Sequence, residues 1–224
     1  MKLMTKKEFD REDPLKKSQH PDQVMLGLVG LIETIGSKKF LTGSGLNRDR
    51  DAFVAVLFTY AIRKWTQKEW FIQQVDDPPD FYMISPTNRN QQNKPLDRMG
   101  VEVIEIKTED PEEAINIIKR SKLENYAPAL GVSLLVYLNT KNAIRIGQQF
   151  MAWAIQNKEL FRYFFETYCL FIESFCPKAT PNYRVVNIFK GWYQKANLSE
   201  EFNKGILFPH PLIDKHSIKI VKDL

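Results

Sequence analysis

The chain sets an acid and an amine two residues apart, Glu105 and Lys107, at the end of the run GVEVIEIKT, and an aspartate, Asp80, at the mouth of the run DFYMIS. Both runs have the aromatic and β-branched composition of strands. Charged side chains are costly in a buried strand unless something pairs with them. Side chains alternate faces along a strand, so Val101, Val103, Glu105 and Lys107 share one face while Ile104 and Ile106 take the other. A hairpin connection between the two runs would bring Asp80 alongside Glu105. Two carboxylates with a lysine beside them can hold a divalent cation through hard oxygen ligands. Such a cation polarises a phosphate oxygen and lowers the pKa of bound water, and the ammonium positions that water and offsets charge developing on the phosphorane. Mg2+ suits the site because it takes few carboxylates and keeps several waters; Mn2+ is expected to substitute. The plainer alternative is a solvated strand edge with a surface Glu-Lys pair. Asp76 and Asp77, next to Pro78 and Pro79, read as turn formers.

Composition sets the frame. With 224 residues, 43% hydrophobic and 26% charged, the chain suits a single globular domain with a sizeable core and excludes collagen-like or disordered classes. A net charge of +5 and a pI near 9.0 are compatible with a nucleic-acid partner without requiring one. The N-terminal MKLMTKKEFDREDPLKKSQH has no apolar signal core, and the longest apolar stretch, 53–62, is about half of a membrane span, so a cytoplasmic protein off the membrane is expected. Cys169 and Cys176 lack metal spacing and read as a reduced, structural pair. His20, His210 and His216 are scattered.

The elements that must position the charged groups follow from patterning. Helices are expected over 22–35, stopped by Gly36, and over 49–65, with Arg63 and Lys64 suiting the dipole at its end. The middle of the second is apolar on nearly every side and should be buried. EWFIQQV and DFYMIS read as strands, followed by a polar connection over 86–100 that carries Arg89, Lys94 and Arg98. VEVIEIKT is a strand, Pro111 opens a helix through EEAINIIKRSKL, and GVSLLVYLNT is a buried strand. The order helix, strand, strand, strand, helix, strand thus occupies roughly 49–140. A long helix starts at NAIRIGQQF; TYCLFIESF is ambiguous, because a short apolar run fits helix or strand alike, and YRVVNIFKGWY is a candidate strand. Trp65, Trp70, Trp153 and Trp192 read as core rather than as base-stacking platforms. The divisions are a charged leader and helix over 1–47, a core over 48–140 and an extension over 141–224 packed on it, in one domain overall.

PPD at 78–80, EIK at 105–107 and this element order resemble the PD-(D/E)xK nuclease superfamily, which includes restriction endonucleases, Holliday-junction resolvases and phage exonucleases. The match runs from the second helix to the GVSLLVYL strand. The resemblance implies an α/β, restriction-endonuclease-like mixed central sheet of about four to five strands flanked by helices, with a helical N-terminal and an α/β C-terminal addition. It implies Asp80 and Glu105 as Mg2+ ligands, Lys107 as the catalytic lysine, and an acid in the helix before the first strand, where Asp51 stands and a glutamate is more usual. The other reading of Asp51 is a first-turn acid complementing the helix dipole. The implied activity is metal-dependent hydrolysis of DNA phosphodiester bonds in a restriction or defence setting, on double-stranded DNA, with homodimers common among relatives. Arg89, Lys94 and Arg98 are then placed to follow the DNA backbone. Lys119, Arg120, Gln148 and Gln149 read first as a solvated helix face, and Glu33 lies one element too early for the pattern. The alternative function is a non-cleaving nucleic-acid-binding or assembly protein with the same fold.

Overall fold

The strand carrying Glu105 is β3 (Asp97–Ile106), held antiparallel to β2 (Phe81–Ser85) on one side and parallel to β4 (Val132–Leu138) on the other. The computed structural model describes residues 17–75, 79–85, 97–124, 131–176, 179–198 and 201. β1 (Phe71–Gln74) lies antiparallel to β2; β5 (Thr167–Cys176) is parallel to β4; β6 (Ala179–Asn187) and β7 (Tyr193–Asn197) follow antiparallel. The result is a mixed seven-stranded sheet whose spatial order is the sequence order. Parallel neighbours need crossovers. They are supplied by α4 (Pro111–Ile118) with a π turn at Lys119–Leu123, and by α5 (Ala143–Gln156) with a 3-10 turn at Lys158–Phe161.

Helices cover both faces. On one face lie α1 (Pro21–Ile35), α2 (Ser37–Thr42) and α3 (Asn47–Thr66), packed on Phe81, Met83, Val101, Val103, Leu135 and Tyr137. On the other, α4 and α5 pack on Ile104, Ile106, Leu134, Val136 and Leu138. The alternation read in VEVIEIK therefore separates two cores, with valines toward α3 and isoleucines toward α4 and α5. β4 is buried at all seven positions, as a central parallel strand should be. The middle of α3 is buried over 52–62 because the sheet lies under it and α1 lies over it.

Several expectations need correction. Among the described residues the sheet has seven strands rather than four to five, and β5, β6 and β7 continue the same hydrogen-bonded sheet as β1 to β4. TYCLFIESF resolves as β5, whose register with β4 (Val136 opposite Cys169) buries both faces. The long helix stops at Gln156, and Arg98 belongs to β3, opposite Ile84, not to the polar connection. The cap of α1 is His20, whose Nδ1 accepts from the Asp22 N–H at 3.2 Å, ahead of Pro21 in the first turn, where proline is favoured. Cys169 is a free, buried thiol pushed up to about 12 by desolvation. No described helix is long and apolar enough to cross a membrane. At the β1 border, Gln19 exchanges both backbone hydrogen bonds with Ile72, at 2.7 and 2.8 Å.

Gly100, on β3, lies between its pairing partners Tyr82 of β2 and Val132 of β4. A Cβ there would meet Pro79 Cγ at 3.1 Å, Tyr82 Cε1 at 3.2 Å and Val132 Cγ2 at 3.3 Å. Gly100→Ala is expected to destabilise the protein by about 1–3 kcal/mol through overpacking, read as a lower urea midpoint with an unchanged slope. A variant as stable as the wild type would remove the packing argument.

Candidate functional site

Asp80 follows the proline pair at the entry to β2. The β2–β3 ladder ends at Phe81 opposite Val101. The Val103 N–H beyond that last pair is taken by Asp80, whose Oδ2 accepts it at 2.7 Å. A side chain thus prolongs the ladder by one bond and fixes the Asp80 carboxyl beside the end of β3 that carries Glu105. Asp51 reaches the same place from α3. That helix begins at Asn47, so Asp49 is its first-turn acid and Asp51 falls in the second turn, beyond where the helix dipole acts strongly. The dipole reading of Asp51 therefore weakens. Burial, and then the charges of Asp80 and Glu105, push its carboxyl up to about 6 against the pull of Arg50 and Lys122. The first turns of α3, the start of β2 and the C-terminal end of β3 thus bring three acids within electrostatic reach of one another.

Glu105 is the most heavily attended. Lys107 Nζ lies 2.9 Å from its Oε2 and Arg50 Nε lies 3.6 Å from the same oxygen. Asn139, just past β4, donates from Nδ2 to Glu105 Oε1 at 2.7 Å and to the Leu41 carbonyl at 3.1 Å. Arg50 also donates to the carbonyls of Gly43 at 2.6 Å and Phe40 at 3.4 Å, and to Asn47 Oδ1. Tyr137 is the β4 partner of Glu105; its hydroxyl is buried without a hydrogen-bond partner among the described residues, and burial followed by the Glu105 charge drives its pKa upward. Lys107 lies one residue beyond β3 with about half its side chain exposed, which suits a group that faces both Glu105 and solvent.

No protein-family model matches the chain, no curated protein is significantly similar to it, and no solved structure matches it significantly. The site must therefore be judged on its own donors. Among the described residues, no three His, Cys, Asp or Glu side chains stand close enough to enclose a metal ion. A two-carboxylate site through Asp80 and Glu105 remains compatible with Mg2+, which binds through one or two carboxylates and keeps its waters. The Asp51 carboxyl is raised first by its burial and then by the charges of Asp80 and Glu105, and a divalent cation would relieve the second of these.

The remaining candidates separate. Arg98 lies on β3 with its guanidinium 3.5 Å from the centroid of the Tyr82 ring, so it presents a stacked, surface cation. Arg89 and Lys94 lie outside the described residues, as do Asp76 and Asp77. Glu33 is exposed on α1, and Lys119 pairs with Glu124 at 3.5 Å, away from the cluster. Glu102 is buried against Lys122 of the π turn. Sequence reasoning missed Arg50, Asn139 and Tyr137. Arg50 carries no local signal. Asn139 had one: it follows a parallel strand beside β3, at the C-terminal strand ends where α/β sheets gather their functional groups.

Folding raises the Asp51 pKa, so its ionised form disfavours the folded state. That penalty is absent below the ordinary carboxylate range, grows as pH rises through it and is complete above about 6. With chelator present, Asp51→Asn is expected to be more stable than the wild type by roughly 1–2 kcal/mol at pH 8, allowing for solvent screening, and to approach it at about pH 3. Denaturant titrations at the two pH values check this. A variant less stable at pH 8 would show that Asp51 makes an attractive contact instead.

Proposed function

We propose that this protein is a Mg2+-dependent deoxyribonuclease in which Asp80 and Glu105 hold the metal and Lys107 serves the attacking water. The observation that carries the reading is the convergence of Asp51, Asp80 and Glu105 from three separate elements, with the Lys107 ammonium 2.9 Å from Glu105. The order α3, β1, β2, β3, α4, β4 supports a restriction-endonuclease-like core, and β5 to β7 extend its sheet. When bound, Mg2+ supplies a polarised phosphate oxygen and a more acidic water. The chain's own part is positional. The Val103 N–H aims Asp80, Asn139 fixes Glu105 Oε1, and Lys107, released from Glu105 Oε2, can orient a water and offset charge on the phosphorane. Asp51 stands behind them as an additional acid. We place the enzyme in the cytoplasm and in a restriction or defence setting, acting on double-stranded DNA.

One observation favours the second reading, a non-cleaving nucleic-acid-binding protein of the same architecture: both Glu105 oxygens already have protein partners. The two are separated by incubating plasmid and linear DNA with Mg2+ or Mn2+. The wild type is expected to cut, with Asp80→Ala and Lys107→Ala each slower by roughly a hundredfold or more. Cleavage that survives both substitutions removes the site assignment, and DNA binding without any cleavage by the wild type selects the second reading.

A further inference from the structure

The cation proposed for this site has to bind an acid whose oxygens are both taken. Glu105 Oε1 accepts from Asn139 Nδ2 at 2.7 Å, and Oε2 faces Lys107 Nζ at 2.9 Å and Arg50 Nε at 3.6 Å. Divalent cations take oxygen ligands at about 2.0–2.6 Å, so one of these groups has to make room. The three differ in what else holds them. The Arg50 side chain is 4% exposed, and its guanidinium also donates to the carbonyls of Phe40 and Gly43 and to Asn47 Oδ1. Asn139 donates from its side chain to the Leu41 carbonyl and from its backbone to the Ile106 carbonyl, the latter at 2.8 Å. Neither can leave without undoing several buried hydrogen bonds.

Lys107 has no such ties. It lies past the end of β3, its side chain is 51% exposed, and among the described residues its only ion pair is with Glu105. A half-exposed pair of this kind is weak, because water screens it and the flexible stem loses freedom in holding one geometry. Breaking it is the least costly way to free a Glu105 oxygen. Asp80, the second acid, is fixed through Oδ2, which accepts the Val103 N–H at 2.7 Å.

We propose that Lys107 holds the metal's place: it covers Glu105 Oε2 while no divalent cation is bound, yields that oxygen as the cation enters, and turns outward to meet the phosphate of the substrate. Lys107 can play this part only if Asp80 and Glu105 are the cation's ligands, as proposed above; the identity of the substrate does not enter. One positive charge is exchanged for two, so the acids are better neutralised after the exchange than before it. Ammonium and metal are then presented to a phosphate together or not at all.

Two measurements on the full chain test this, and neither needs cleavage. Free Mn2+ is counted by electron spin resonance during titration of the wild type, Lys107→Met and Asp80→Asn; the asparagine keeps an oxygen for the Val103 N–H. Lys107→Met is expected to bind Mn2+ roughly tenfold more tightly than the wild type, and Asp80→Asn more weakly. Any lost positive charge attracts a cation, so the second measurement separates displacement from simple attraction. The wild type is acetylated with a water-soluble active ester, and labelling of Lys107 is compared by mass spectrometry with that of Lys158, beyond the far end of α5. Saturating Mn2+ is expected to quicken labelling of Lys107 severalfold and to leave Lys158 unchanged. If the wild type binds Mn2+ and Asp80→Asn does not, the metal site stands; equal or weaker binding by Lys107→Met, or Lys107 labelling unmoved by Mn2+, then overturns the exchange alone. If neither the wild type nor Lys107→Met binds Mn2+, or Asp80→Asn binds it as the wild type does, the metal assignment falls and the exchange with it.

Discussion

A carboxylate at the end of a strand packed on both faces has to be met by something, and the way Glu105 is met organises this molecule. Its two oxygens draw a lysine from just past its own strand, an arginine from α3 and an amide from beyond β4. Each of those groups is tied elsewhere in turn. Arg50 holds the carbonyls of Phe40 and Gly43, and Asn139 holds that of Leu41, so α2 and the loop after it are gathered onto the sheet by the same residues that neutralise Glu105. A buried charge is destabilising when left alone and specifying when each partner is fixed. Here the partners come from both sides of the sheet's central strands, so the electrostatics of one residue and the placement of the N-terminal helices become one constraint.

What could be read from the sequence divides along physical lines. The two-residue period of VEVIEIK survives intact, because β3 is buried on both faces and a one-residue slip would exchange its valines and isoleucines between two different cores. α3 was legible from its uninterrupted apolar middle and its basic last turn. Of the C-terminal strands only β6 was legible, through the YRVVN of YRVVNIFKGWY. β5 is apolar at nearly every position, which periodicity cannot distinguish from a buried helix, and β7 (Tyr193–Asn197) is an edge strand with no apolar alternation to announce it. Of the site, the motif residues Asp80 and Glu105 could be named because their types and spacing carry chemistry. Arg50, Asn139 and Tyr137 could not, since their importance comes from where long-range pairing puts them. Asp51 was legible as an acid near the start of a helix, but only the observed helix boundary places it beyond the dipole and among other acids.

The molecule is polarised from end to end. At the C-terminal ends of β3 and β4 lie carboxylates, an amide and a buried arginine; at the N-terminal end of β5 lie the stacked rings of Trp65 and Trp192 and the amine of Lys190. Both ends manage negative charge, in opposite ways. At one, burial and then the charges of Asp80 and Glu105 keep Asp51 from ionising readily; at the other, Glu166 is sunk beneath Lys190. α3 spans the distance between, with Asp51 near its start and Trp65 near its finish.

The pairing of Gln19 with Ile72 bears on how copies of this protein meet. A sheet border that displays unpaired backbone groups is a template on which another chain can grow. By occupying both hydrogen bonds of Ile72 with one residue of its own leader, the chain closes the β1 border at that point. The two rims of the sheet are therefore unequal: one is blunted from within, while β7 forms the outer strand of the other. Among the described residues, strand addition is therefore opposed at Ile72 on the β1 side, while no strand pairs with the outer side of β7.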